Sequence, residues 1–296
     1  MPKVERAISP KNPPPPPKGL SVTALYTAGI WRWGEVEGSE LCADQHSLIV
    51  RRVVNLFLAI AHLFRRDLPR VPEGLIQRHR AIDHLVESSP WGEVLELAAG
   101  LSTRSFRMQQ RWPSRHYTEL DLPQVISYKS ALLAARGAAL LESETFRLVE
   151  GEVGATALHD ALSDAGEGPL LVIAEGLLMY LPEAAQRALF AEVAGVMRER
   201  GGVFLFDLVP APEQPKSGFI GRTLGALMRH FTEGESFVID RRGRAEILEE
   251  LCLAGFEAPS CASPAEILDA ALPFPTAHTQ QLIFRATVKK AETGAD

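Results

Sequence analysis

Cysteine is scarce: three in 296 residues, Cys42, Cys252 and Cys261, with no C-x-x-C spacing. That excludes a disulfide framework and a zinc site, and reduced thiols in a cytoplasmic protein are expected. Positive charge is also short, with 31 Lys and Arg against 37 Asp and Glu and a formal net charge of −6. Diffuse attraction to nucleic acid or to an anionic membrane is therefore not expected. No secretory leader is visible, because Lys3, Glu5 and Arg6 are followed by the run Pro13–Pro17 rather than by an apolar core. The most apolar stretch, Leu48 to Phe64, is interrupted by Arg51, Arg52, Asn55 and His62. It falls short of the roughly 20 clean residues that span a bilayer, and is expected as a helix buried in the core. His62, His84, His116 and His159 lack metal-ligand spacing, so no metal is expected. Finally, the glycines of a dinucleotide fingerprint are missing: over residues 98–103 only Gly100 fits G-x-G-x-x-G.

What is present is an alternation of periods. Residues 1–18 read as a disordered proline-rich tail, and residues 19–296 as a single domain. Residues 19–90 read as a helical cap, with Leu56, Ile60 and Leu63, then Leu75, Ile82 and Leu85, at helical spacing. From residue 93 short apolar runs predict strands at Val94–Leu97, His116–Leu120, Phe146–Glu150, Leu170–Ala174 and Val203–Phe206. Helices are predicted between them at Thr103–Arg111, Leu122–Arg136, Ala155–Ser163 and Pro182–Arg200. A further helix is predicted at Arg244–Ala254 and a last strand at Gln281–Val288, while residues 209–240 read as a lid insertion. Strands alternating with helices predict an α/β fold with a mainly parallel sheet covered on both faces.

In such sheets ligands bind beyond the carboxyl ends of the strands. Those positions here are Ala98 and Gly100, then Asp121, then Glu152 and Val153, then Glu175 and Gly176, then Asp207. Four of the five strand ends carry an acid, which would repel a pyrophosphate but suits a cationic, hydroxyl-rich ligand. S-adenosylmethionine, with its sulfonium, ammonium and ribose diol, meets that requirement. Asp121 equally suits the N-cap of a helix opening at Leu122, Tyr180 could simply pack over the sheet edge, and Arg78 shares its helix with a possible substitute, Arg80.

ELAAGLSTR (96–104), TELDLPQVISYKSALL (118–133) and AEGLLMYLP (174–182) together resemble the leucine carboxyl methyltransferase family, including its bacterial branch of polyketide-type O-methyltransferases. QRHRAID (77–83) and TALYTA (23–28) resemble its helical cap. The resemblance implies a Rossmann-like class I methyltransferase fold with a seven-stranded sheet. It implies that Glu96, Ala98 and Gly100 form the cofactor turn, and that Asp121, followed by Leu122, holds the ribose. Glu152 and Val153 would then sit by the adenine, and Glu175 and Gly176 at the methionine end. Arg78 would pair with the methionine carboxylate, and Tyr180 would point to the methyl-transfer site. The chain departs from the family in having Ala98 where a glycine is usual, Glu152 at the adenine position, and Thr27 where a cap lysine aligns. The last departure favours a small molecule over a phosphatase tail as substrate.

The expected activity is thus S-adenosylmethionine-dependent O-methylation of a small natural product or metabolite, releasing S-adenosylhomocysteine. A carboxylate acceptor needs no base, and Arg78, Arg104 and Tyr180 are candidates to hold it. A polyketide or phenol hydroxyl would need a base, a role left open only to His230 and His278, which lie in segments the pattern does not place. A second reading is an accessory protein that binds S-adenosylmethionine without turnover, supported by Ala98. The oligomeric state stays open.

Overall fold

A computed structural model describes residues 14–64, 70–162, 166–210, 240–277 and 279–290. Four helices come first: α1 (Val22–Trp33), α2 (Ser39–Cys42), α3 (Gln45–Phe64) and α4 (Val71–Ser88). Strands and helices then alternate through β1 (Glu93–Leu97), α5 (Arg104–Arg111), β2 (His116–Asp121), α6 (Pro123–Arg136), α7 (Ala138–Leu141) and β3 (Phe146–Glu150). They continue through α8 (Leu158–Ala161), β4 (Leu170–Ala174), α9 (Glu183–Met197) and β5 (Gly202–Leu208). The described chain closes with α10 (Arg244–Ala254), β6 (Glu257–Ala262), α11 (Pro264–Leu268) and β7 (Leu282–Val288).

The strands form one seven-stranded sheet in the order β3-β2-β1-β4-β5-β7-β6. β1 to β5 run parallel, and β7 is antiparallel to both β5 and β6. Strand order reverses between β1 and β4, the place where an open α/β sheet opens a crevice at its carboxyl edge. β4 is apolar and buried throughout, as expected of a parallel strand covered on both faces. Leu171 and Ile173 face one core with Ile82, Val125 and Leu132. Leu170, Val172 and Ala174 face the other with Phe190, Val193 and Leu251. The period of two along the strand thus divides the interior into two layers.

The predicted strands and helices fall within a few residues of their observed bounds, with three exceptions. Ala155–Ser163 supplies only the single turn α8. β6 has no counterpart in the sequence reading: its segment EAPSCA has no buried residue and contains Pro259, which an edge strand tolerates. The expectation of a core helix around Leu48–Phe64 is corrected, because α3 buries Ser47, Val54 and Leu58 but leaves Ile49, Val53, Leu56, Ile60 and Leu63 exposed. Apolar residues surround this helix, and only one face of it meets the rest of the cap. Residues 1–13 of the tail, 211–239 of the lid segment, His230 and His278 lie outside the described residues.

The cap is built on the contact of α1 with α3. Asp44 opens α3 by accepting the Ser47 N–H at 2.9 Å, and it also takes the Tyr128 hydroxyl at 2.8 Å. Tyr26 donates to Asn55 Oδ1 at 2.9 Å. Gly29 lets the helices close up: a Cβ there would lie 2.4 Å from the Ser47 carbonyl oxygen and 2.9 Å from the Arg51 Cβ. Gly29→Ala is expected to force the helices apart at a cost of about 1–3 kcal/mol, the range for overpacked contacts. Chemical denaturation of the variant checks this, and an unchanged midpoint would mean that α1 and α3 are not in such contact.

Candidate functional site

A cavity of about 450 Å³ opens beyond the carboxyl ends of the parallel strands, between the sheet and the cap. That volume suits a ligand of small-cofactor size. Its floor comes from the segments after β1, β2, β3 and β4, and its wall from α1 and α4, including Tyr26, Thr27, Trp31 and Leu75. All eleven residues singled out from the sequence line it: Arg78, Glu96, Ala98, Gly100, Asp121, Leu122, Glu152, Val153, Glu175, Gly176 and Tyr180. Their arrangement separates those that keep polar atoms open to the cavity from those whose polar atoms are bonded within the protein.

Asp121 belongs to the first group. Its Oδ2 accepts the Gly100 N–H at 2.6 Å and its Oδ1 accepts the Leu122 N–H at 2.7 Å. The turn after β1 is thereby locked to the end of β2, and the remaining lone pairs stay available to a ligand. Asp121 does not cap α6 in the usual way: the helix opens at Pro123, Leu122 is its N-cap residue, and no side chain caps it. Burial pushes the Asp121 carboxyl above its ordinary range, against the two N–H donors that pull it down. The turn itself is tight, with Ala98 at φ 50° and Gly100 at φ 55°. Glycine adopts that backbone freely, while an alanine there is strained.

Glu152 is exposed at the cavity mouth, and its backbone N–H donates to Thr156 Oγ1 at 3.1 Å. Tyr180 joins sheet to cap, its hydroxyl donating to Thr23 Oγ1 at 3.3 Å. Thr27 turns its hydroxyl back onto its own helix, donating to the Thr23 carbonyl at 3.0 Å.

Glu96 and Glu175 belong to the second group. Arg104 is fully buried and binds Asp83 Oδ1 at 2.7 Å, Glu175 Oε2 at 2.5 Å, and Glu96. Arg107 adds Asp83 Oδ2 at 2.6 Å, and the Tyr117 hydroxyl donates to Glu96 Oε2 at 2.5 Å. Arg78 donates from Nε to Glu175 Oε1 at 2.9 Å and from one Nη to Asp207 Oδ2 at 3.2 Å. Asp207 also takes the Gly176 N–H at 2.6 Å, so the turn after β4 is held as the turn after β1 is. His79 sits inside the cluster, its Nδ1 2.9 Å from Glu175 Oε2 and its Nε2 2.8 Å from an Arg107 Nη. An arginine can only donate, so Nε2 accepts from Arg107, while Nδ1 lies between Glu175 Oε2 at 2.9 Å and an Arg104 Nη at 3.0 Å. Burial, which pushes the His79 pKa down, agrees with a neutral ring.

Burial opposes ionisation of Glu175, but His79, Arg78 and Arg104 overcome it and hold its carboxyl well below the ordinary range. Asp207 and Glu96 go the other way, because burial outweighs Arg78 at the one and Arg104 at the other. Three guanidiniums thus face four carboxylates, Asp83, Glu96, Glu175 and Asp207, and Asp121 adds a further acid. The balance at the cavity floor is negative and favours a cationic ligand.

Arg104 therefore cannot hold an acceptor carboxylate, and that expectation is corrected: its donors are committed inside the protein and it does not line the cavity. Arg80, the substitute considered for Arg78, does not line it either. The cluster members His79, Asp83 and Arg107 were absent from the expected site, and Asp207, a strand-end position in the sequence, binds Arg78 and the Gly176 N–H without lining the cavity. One local signal pointed to part of the cluster: Arg104 and Arg107 lie in and just beyond the first turn of α5, which has no acid. A helix start disfavours cations, so two arginines there imply partners elsewhere in the fold.

Relieving the strain at Ala98 gives a direct check on the turn. Ala98→Gly is expected to stabilise the protein by a net of about 0.5–1 kcal/mol, since a left-handed alanine costs about 1–2 kcal/mol and the added glycine entropy offsets part of the gain. Thermal unfolding reads this as a raised midpoint, and a lowered midpoint would mean that residue 98 does not sit in the left-handed region.

The geometry can be set beside known proteins. At 36% identity over 149 residues, the chain is similar to a Mycobacterium marinum protein named as a candidate S-adenosyl-L-methionine-dependent methyltransferase, covering 49% of this chain and 48% of that protein. A Mycobacterium ulcerans protein of the same description is 34% identical over 148 residues, covering 49% and 48%. The chain spans about half the length of these curated relatives. Among solved structures, a Thermobifida fusca protein described as a candidate methyltransferase superposes with a TM-score of 0.59 at 14% identity, covering 93% of this chain and 99% of that one. That likeness concerns the fold, which is the Rossmann-like class I methyltransferase architecture. The family model described as leucine carboxyl methyltransferase matches residues 40–194, more than half of the chain and most of the cavity floor. The chain belongs to the leucine carboxyl methyltransferase family.

Proposed function

We propose that the protein is an S-adenosylmethionine-dependent O-methyltransferase that esterifies a carboxylate of a small metabolite and releases S-adenosylhomocysteine. The observation that carries this reading is Asp121: a carboxylate fixed by the Gly100 and Leu122 N–H groups at the switch in strand order, on a cavity floor with surplus acid. The names of the relatives and the family membership support the same cofactor.

The residues present fit that cofactor. Asp121 has lone pairs for the two ribose hydroxyls, and Glu152 stands where an adenine amino group could donate to it. Arg78 spends Nε and one Nη on Glu175 and Asp207, which leaves its second Nη for the methionine carboxylate. Gly176 keeps that guanidinium close to the backbone, since a Cβ there would lie 3.4 Å from both Nη atoms. Glu175 acts on the methionine end through Arg78 and through the negative balance of the cluster, because its own oxygens are already bonded.

When bound, S-adenosylmethionine supplies a methyl group on a sulfonium, already activated for in-line displacement. The protein then has to position the acceptor and exclude water. Trp31, Val71, Leu75, Met179 and Leu181 provide an apolar wall for that purpose, and Tyr180 with Thr23 marks the polar point on it. No His, Lys or Cys lines the cavity among the described residues. Tyr26 does not serve as a base, because burial raises its phenol further and it donates to Asn55. An acceptor that arrives already ionised needs no base from this wall, so a carboxylate is favoured over an alcohol or phenol. The free cysteines agree with action in the reducing cytoplasm.

Isothermal titration with S-adenosylmethionine tests the cofactor, and a panel of carboxylic acids and phenols read by mass spectrometry tests the acceptor. Asp121→Asn is expected to weaken cofactor binding by roughly 10- to 100-fold, matching the 1.5–3 kcal/mol of a charged hydrogen bond. Wild-type affinity should also fall with acidification through the raised Asp121 pKa, by about tenfold per pH unit for one proton, and Asp121→Asn should lose that slope. Absence of binding by the wild type would overturn the reading. Binding without a methylated product across the panel would favour the accessory role, and products confined to phenols would overturn the carboxylate assignment.

A further inference from the structure

On α3, Ile49, Val53, Leu56, Ile60 and Leu63 stand on the solvent side, with Leu56 62% and Leu63 79% exposed. Exposures of that size on large aliphatic residues mark a face left for a partner, since monomers rarely show a long contiguous apolar stripe. The spacing is 4-3-4-3, a heptad seam, while Ser47, Val54 and Leu58 on the opposite side of the helix are buried in the cap.

We propose that this face is the contact between two copies of the chain, with α3 packed in parallel against α3 of the second copy. The order of residue types carries the choice. β-branched Val53 and Ile60 occupy one set of seam positions, and Leu56 and Leu63 occupy the other with Ile49, the division that two parallel helices prefer. Val53 with Leu56 and Ile60 with Leu63 repeat the same order one heptad apart, so a second copy of the helix can interlock with the first in register.

The flanking side chains suit a like partner. α3 carries no acid, and its charged residues are Arg51 and Arg52. Arg51 is half-buried towards the cap, so it does not sit on the seam. Arg52 flanks Val53 on one side, and the exposed Phe57 lies five residues further along, on the other flank. In parallel register these flanks meet across the pair, which places each guanidinium over the ring of the other copy's phenylalanine. The seam holds no polar residue and no unpaired charge that would call for a chain of different sequence.

Sedimentation of the full-length chain tests this, with Leu56→Glu/Ile60→Glu as the disrupting variant. Its replaced side chains are exposed in the single chain, so the far-UV circular dichroism should stay that of the wild type. The wild type is expected as a dimer and the double variant at half that mass. Leu56→Cys is a second, independent reading: a parallel pair sets residue 56 opposite itself, so the variant should form an interchain, reducible cross-link that the wild type does not form. A monomeric wild type overturns the proposal, as does a dimer that persists in the Glu variant. Absence of the cross-link in the Leu56→Cys variant overturns the parallel pairing. Flotation of the wild type with phosphatidylcholine–phosphatidylglycerol vesicles, lost in the Glu variant, would assign the stripe to a membrane instead.

Discussion

The site depends on one buried guanidinium. Arg104 reaches from the start of α5 to Asp83 on the cap, to Glu96 in β1 and to Glu175 after β4, and so ties three separate parts of the chain to one point. Burying any one of these ions alone would cost several kcal/mol, and only mutual pairing with further hydrogen bonds makes the cluster tolerable. Arg78, Arg107, His79 and Tyr117 supply those bonds. The cap is therefore held to the sheet by charge as well as by apolar packing, and the cavity between them has a fixed floor.

The same cluster explains why acids at strand ends do not all have one role. Each lies at the carboxyl edge, where a ligand would sit, yet Glu175 and Asp207 spend their oxygens on arginines and on a backbone N–H. Asp121 alone among the buried strand-end acids is held only by backbone donors, which leaves its charge uncompensated by any neighbouring cation in contact. What the ligand meets is the difference between these acids and the guanidiniums beneath them. A cluster balanced to neutrality would hold the cap equally well but would offer a cation nothing.

Much of the architecture was legible in the sequence because it follows from periodicity. Leu170–Ala174 could hardly be other than a doubly covered strand, and the change from period two to period 3.6 after each run located the helices. The residues of the cavity were legible for a related reason: the parallel topology brings every strand end to one rim, so reading the ends in order collects the site. The partners of those residues were not. Arg78 lies 97 positions from Glu175 and 129 from Asp207, and no local pattern encodes a pairing of that separation. β6 escaped because none of its six residues is buried and one is a proline, so they lack the alternation that marks a strand. The apolar run of α3 concealed its own asymmetry, since composition cannot tell a helix covered on all sides from one covered on a single side.

α1 gives these separate features a common mechanical frame. One side of it, through Thr23, Ala24 and Thr27, is cavity wall, and Tyr180 reaches it from the sheet. Its other side is pressed onto α3 at Gly29, where no side chain intervenes, and is pinned by Tyr26 to Asn55. A helix held this closely cannot move towards or away from a ligand without carrying α3 with it. Whatever fixes the outer face of α3 consequently stiffens the α1 wall of the cavity, while the arginine cluster stiffens the opposite side. The two restraints act on different elements, α1 and α4, so the site can lose one and keep the other. A weakened α1–α3 contact would loosen the α1 wall and leave Asp121, held from the sheet alone, in place.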